Sequence, residues 1–185
     1  RQSRLCPVSL PLQPTMHTAW VRLNAVVFFG LTVLLGLSIL TALSTYLHQG
    51  FPDVRKLSVS KFRTFRKSEG TDRLLLNIDV DADLAPAFNW NVKQLFAFVV
   101  AEYQTKTNPV NQVILWDKIV ESAEDAHLLQ RDMTVKYGLI DEGAGLRNTS
   151  VTLMLYWDHM PLTGTLFQHS VAVDTFECPG NYARR

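Results

Sequence analysis

The chain has 185 residues, with 18 Lys and Arg against 17 Asp and Glu, a net charge of +1, and two cysteines. A balance this even excludes a general nucleic-acid binder. Two cysteines are too few for a disulfide framework, so any folded part must hold by burial alone.

The segment Arg1–Thr15 carries Pro7, Pro11 and Pro14 and shows no apolar period. It is read as disordered or as sequence upstream of a start at Met16, and no fold is assigned to it. Leu23–Leu47 is a run of 25 residues without a charged side chain. As a helix it spans roughly 37 Å, more than the ~30 Å hydrocarbon core, so it is predicted to cross a membrane once. The rival is a cleaved signal peptide ending at Ala42-Leu43-Ser44, but its apolar region is normally only ~7–15 residues. Cys6 and Cys178 fall on opposite sides of this helix and cannot pair within one chain.

Orientation is ambiguous from charge. Between Met16 and the span the only positive charge is Arg22, whereas Arg55, Lys56, Lys61, Arg63, Arg66 and Lys67 follow it. A positive-inside count places the carboxyl side in the cytosol, but the rule fades for large translocated domains. The acceptor tripeptide Asn148-Thr149-Ser150 points to a lumenal carboxyl side. After Leu47, 15 basic residues meet 17 acidic ones, leaving that part near −2.

Beyond the helix the pattern is that of strands. In Leu74–Leu84, residues Leu74, Leu76, Ile78, Val80, Ala82 and Leu84 fall on one face, with Asn77, Asp79, Asp81 and Asp83 on a wet face. Gln94–Thr105 and Gln112–Val120 are apolar on both faces, which predicts strands inside a sandwich, covered on one side by the core and on the other by a neighbour. Asn108-Pro109 between them predicts a hairpin. Glu121–Arg131 is predicted as a short helix and Asp141–Gly145 as a loop. Val151, Leu153, Leu155 and Trp157 alternate with Thr152 and Tyr156 as a further strand. Val54–Phe65 and Leu166–Val173 are weaker strand candidates. The expected fold is one transmembrane helix followed by a mainly-β domain, a β-sandwich.

A search for chemistry finds little. The five histidines sit in no nucleophile context. Ser58-Val59-Ser60-Lys61 matches S-x-x-K, but on a strand pattern and without partner motifs, so it reads as an exposed strand face. His159, His169 and Cys178 lack metal-ligand spacing. Asp79-Val80-Asp81-Ala82-Asp83 opens like a calcium loop but has Leu84 at the sixth position and Trp90 at the twelfth. The same aspartates resemble a D-x-D metal–nucleotide-sugar site, which keeps one alternative open: an independent lumenal enzyme, such as a small metal-dependent glycosyltransferase using Asp79 and Asp81. Strand alternation accounts for both residues without it.

Three stretches carry a family resemblance. The first is Phe88-Asn89-Trp90-Asn91-Val92-Lys93-Gln94-Leu95-Phe96 with Ala101-Glu102-Tyr103. The second is Asn111-Gln112-Val113-Ile114-Leu115-Trp116-Asp117-Lys118-Ile119-Val120. The third joins Lys136-Tyr137, Asp141-Glu142-Gly143-Ala144-Gly145-Leu146 and Val151-Thr152-Leu153, with Trp157 and Pro161. Together they resemble the signal peptidase complex subunit 3 family of the endoplasmic reticulum, over roughly Met16 to Gly164.

The resemblance implies a short cytosolic amino-terminal segment (1–22), a signal-anchor helix (23–47) and a lumenal sandwich (48–185). It implies a subunit without catalytic residues, cofactor or metal, which braces a separate catalytic serine protease subunit acting on the signal peptides of nascent secretory precursors. Partners are then the other subunits, the precursors and membrane lipid, with no nucleic acid. In the family a glycosylation acceptor directly precedes the Val-Thr-Leu strand; here Ser150 holds that place, with Asn148 two residues earlier. Candidate partner contacts are the loop aromatics Phe88 and Trp90 and the small helix residues Ser38, Ala42 and Thr45.

Overall fold

A computed structural model describes residues 18–45, 47, 50–143 and 145–184. The readings on Cys6, Arg1–Thr15, Met16, His17, His48 and Ala144 lie outside the described residues. The chain divides within its helix into two compact units, one ending at Ile39 and one running from Leu40 to Arg185.

Helix α1 spans Ala19–Thr45, 27 residues, and is long and apolar enough to cross a membrane. Its apolar side chains, Trp20, Phe29 and Leu34 among them, stand exposed.

The second unit is a sandwich of two antiparallel sheets. The first contains β1 (Asp53–Ser68), β2 (Thr71–Asp83), β5 (His127–Thr134), β6 (Leu139–Asp141) and β9 (Ala183–Arg184). Its order is β5-β2-β1-β9, and β6 follows β5 along the same edge of β2. The second sheet has the order β4-β3-β7-β8, built from β3 (Val92–Tyr103), β4 (Asn111–Val120), β7 (Ser150–Pro161) and β8 (Phe167–Glu177). Glu69 and Gly70, both at positive φ, turn β1 into β2 in a two-residue hairpin whose twist suits the strands.

Alternation places the core. Leu76, Ile78 and Val80 of β2 face Leu95 and Val99 of β3 and Leu153 and Leu155 of β7, all essentially inaccessible to water. The expected dry face of β2 is buried from Leu74 to Leu84. The β3–β4 hairpin forms as predicted, with Thr105 N–H donating to the Asn108 carbonyl.

Three expectations are corrected. Glu121–Arg131 is not a helix: a tight turn, with Asp125 N–H on the Ser122 carbonyl, leads into β5 from His127. The pairing of Leu128 with Ala82 in β2 outweighs the helical period of that segment. Asn77 is buried, not wet, because Arg63 and Thr134 donate to its Oδ1 and its own amide donates to Asp132. Strand β4 is an edge strand, so its outward apolar residues Ile114 and Ile119 remain open.

Candidate functional site

Antiparallel register gathers several strand ends at one pole of the sandwich. Val92 pairs with Pro161, His159 with Phe167, and Asp53 with Asp83. The last turns of α1, from Leu40, belong to this unit. Asn91 organises the pole. Its amide donates to Thr45 Oγ1 and to the Thr163 carbonyl, both at 2.9 Å. Its Oδ1 accepts from Thr163 N–H at 3.1 Å, and its own carbonyl accepts from Leu162 N–H at 2.7 Å. Asn91 is 1% exposed, so these bonds form away from water, where an unmade one is costly.

Two glycines permit close approach here. Gly164, at φ +107°, lies so near Ala42 that an added Cβ would stand 3.3 Å from the Ala42 Cβ. At Gly50 an added Cβ would meet the Pro86 carbonyl oxygen, so only glycine fits.

The candidate contacts therefore fall in different places. Thr45 is buried on Asn91 and Ala42 abuts Gly164. Phe88 packs partly against the core, and Trp90 is 57% exposed. Ser38 is exposed on the helix in the first unit. Sequence reasoning missed Asn91 and Thr163, because their pairing joins positions 72 residues apart.

Asn148 lies at the opposite pole, exposed in a turn at φ 54°, its side-chain oxygen against Gly180. Thr149, the third position of the acceptor less one, donates its hydroxyl to the Gly145 carbonyl at 2.6 Å. Two buried carboxylates pin this pole. Asp141 accepts from Tyr103 Oη and from Gly143 and Gly145 N–H, and Asp72 accepts from Tyr182 Oη and Leu146 N–H. Burial first, then Asp141, raises the Tyr103 phenol; burial, then Asp72, pushes the Cys178 thiol up to about 12. That thiol is inert at neutral pH while the fold holds.

The strand aspartates are already engaged. Asp79 accepts from Asp132 N–H at 2.8 Å and from Lys56 Nζ at 2.7 Å, and those two contacts, in that order, hold its carboxyl below the usual value. A depressed carboxylate stabilises the fold above its unfolded value near 4 and loses that effect as pH falls through its folded value. His127 meets Asp81 at 3.1 Å, and Asp83 accepts from Ala85 N–H. Ser60 donates to Asp132 at 2.9 Å. His159 and His169 stand edge to face at 5.4 Å, with His169 stacked on Trp157. Asp79→Asn removes the charge that Lys56 and the Asp132 N–H hold, and should lower the protease resistance of the sandwich modestly at neutral pH, with Asp81→Asn changing it less; limited proteolysis checks this.

A chain with one long apolar helix followed by a two-sheet domain matches a known family along most of its length. The profile described as signal peptidase subunit matches residues 16–181, and the chain belongs to that family. Several of its relatives carry the name signal peptidase complex subunit 3. The protein of Dictyostelium discoideum is 34% identical over 169 residues, 91% of this chain and 98% of the relative. That of Homo sapiens is 38% identical over 157 residues, 82% and 87%, and that of Drosophila melanogaster 37% over 179 residues, 91% and 98%.

Proposed function

We propose that this chain is a non-catalytic subunit of the signal peptidase complex in the endoplasmic reticulum membrane. It braces the catalytic subunit while signal peptides are cleaved from nascent secretory and membrane proteins. The observation that carries this reading is the match to signal peptidase complex subunit 3 over 91% of the chain and 98% of the Dictyostelium relative. The strand aspartates support a structural role, since each serves a neighbouring strand or turn. The glycosyltransferase alternative would have to free Asp79 and Asp81 from those partners to hold a metal. Purification of the full chain from detergent-solubilised microsomes tests the proposal. Co-purification with an active peptidase supports it; a monomeric chain that binds Mn²⁺ and turns over a nucleotide sugar refutes it.

The proposed layout is a cytosolic segment 1–22, a signal anchor 23–47 and a lumenal sandwich 48–185, with membrane lipid around the helix. Exposed Trp90 and Ser38 are proposed to meet partner subunits more directly than Phe88, Ala42 or Thr45, which the chain's own packing engages. Asn148, in its exposed turn, is the proposed glycan site. Glycosidase should shift the wild type on a gel and leave Asn148→Gln unshifted. Digestion of a carboxyl-terminal tag in intact microsomes would overturn the lumenal placement.

A further inference from the structure

The two outer faces of the sandwich differ in chemistry. On the β5-β2-β1 sheet, Lys56 reaches Asp79, Ser60 reaches Asp132 and His127 reaches Asp81. That face is built for water. On the other sheet, directly paired residues share a face, so the register defines what points outward. One row reads Ile114, Val100, Met154 and Ala172; the next is Asp117, Phe98, Tyr156 and Ser170. A third places Ile119 beside Phe96 and Asp158. Phe98 stacks on Tyr156 with centroids 5.2 Å apart and tilts against Phe96 at the same distance. Phe98 and Val100 at its centre are only 8% and 4% exposed, but no third sheet of the described residues lies over the ladder. A sheet face that meets water normally alternates to polar residues. Here the sequence of β3 is apolar on both sides, yet among the described residues an opposing sheet covers only one.

We propose that the outer face of the β4-β3-β7-β8 sheet docks another subunit of the signal peptidase complex, one that presents an apolar surface bordered by basic side chains. This rests on the reading of the chain as a subunit of that complex. Charge selects the occupant. Lys136 holds one oxygen of Asp117 at 3.1 Å, while Asp117 Oδ1 and Asp158 Oδ1 are shielded from solvent and have no donor among the described residues. Shielded carboxylate oxygens without donors favour positive charge laid over them. A second copy of this chain would bring the same two carboxylates against themselves. A lipid headgroup surface would bring phosphates to them. A basic subunit satisfies both the ladder and its acidic flanks. Four strands at ~4.8 Å spacing and about ten residues of length give a face on the order of 600 Å², most of one side of a standard interface. Edge strand β4 adds reach, since Ile114 and Ile119 are 44% and 51% exposed there.

The test uses the full chain in microsomes. A photo-crosslinking side chain is placed at Ile114 or Ile119, and at Ser60 or Lys61 as controls on the other sheet. The complex is irradiated, extracted in mild detergent, and the adducts are identified by mass spectrometry. The expected result is a crosslink from Ile114 and Ile119 to one distinct subunit of the complex, at least about tenfold above the controls. In parallel, Ile114→Lys with Ile119→Lys should lower the recovered complex about tenfold, and Ser60→Lys should not, with Cys178 still shielded from maleimide in both as the sign of an intact fold. A co-purifying chain whose sheet-face probes capture only lipid, only a second copy or nothing overturns this inference and leaves the subunit reading standing. Full assembly of the double lysine variant overturns it too. A chain that never co-purifies overturns both.

Discussion

Replacement of Trp116 by Ala should unfold the sandwich. Trp116 is 5% exposed on β4 and belongs to the core, opposite Val99 of β3. Removing a buried indole costs ~3–5 kcal/mol, through lost transfer energy and the cavity left behind. That is a large share of the ~5–15 kcal/mol that holds a domain together. Among the described residues no disulfide offsets the loss, since Cys178 is a buried free thiol. The same thiol reports the outcome. In a Cys6→Ser background, maleimide should label Cys178 slowly in the folded chain and rapidly in the Trp116→Ala variant. The complex should then lose the subunit, and secretory precursors should accumulate with their signals attached. Continued protection of Cys178 would show that the pocket closes over the missing ring.

Substitution at Asn91 should have the second large effect. Asn91→Asp is nearly isosteric but replaces an amide that donates to Thr45 and to the Thr163 carbonyl. Two donors vanish, and a charge appears at a position 1% exposed. An uncompensated buried charge costs ~3–5 kcal/mol, whereas Asn91→Ala, which only leaves partners unmet, should cost ~1–3 kcal/mol. The two variants separate further with pH. A carboxyl buried without a cation has its folded pKa raised, so its penalty is absent below the unfolded value near 4 and grows as pH rises through and above that value. Thermal unfolding in detergent should therefore show Asn91→Asp recovering on acidification while Asn91→Ala does not. Equal and pH-independent losses would deny the amide its role.

Much of the fold was legible because period is local. The alternation of Leu74–Leu84 places its dry face on the core, and the same holds from Val151 to Trp157. Position within a sheet was not legible. Strand β4 is apolar on both faces, which suggests a central strand, yet among the described strands only β3 pairs with it. Glu121–Arg131 carries helix formers, and its strand conformation comes from pairing with β2 about 45 residues back, which no local pattern records. Asn77 sat among wet aspartates by its spacing and is buried by groups from β1 and β5. The candidate site behaved likewise. The exposed loop aromatic Trp90 and the acceptor Asn148 could be read directly. The Asn91–Thr45–Thr163 network could not, because each bond closes a long loop.

The poles of the sandwich bear on the sugar proposed for Asn148. Strand β3 carries the chain from Val92, next to Asn91, to Tyr103, whose hydroxyl lies on the Asp141 loop that leads to Asn148. Twelve residues of strand cover roughly 36 Å. A branched sugar at that distance sweeps out a hydrated volume beyond the strand tips, clear of the end where Thr45 enters. Differences between glycoforms would then change hydrodynamic size and protease sensitivity of the far loops, while the stoichiometry of the assembly stays the same.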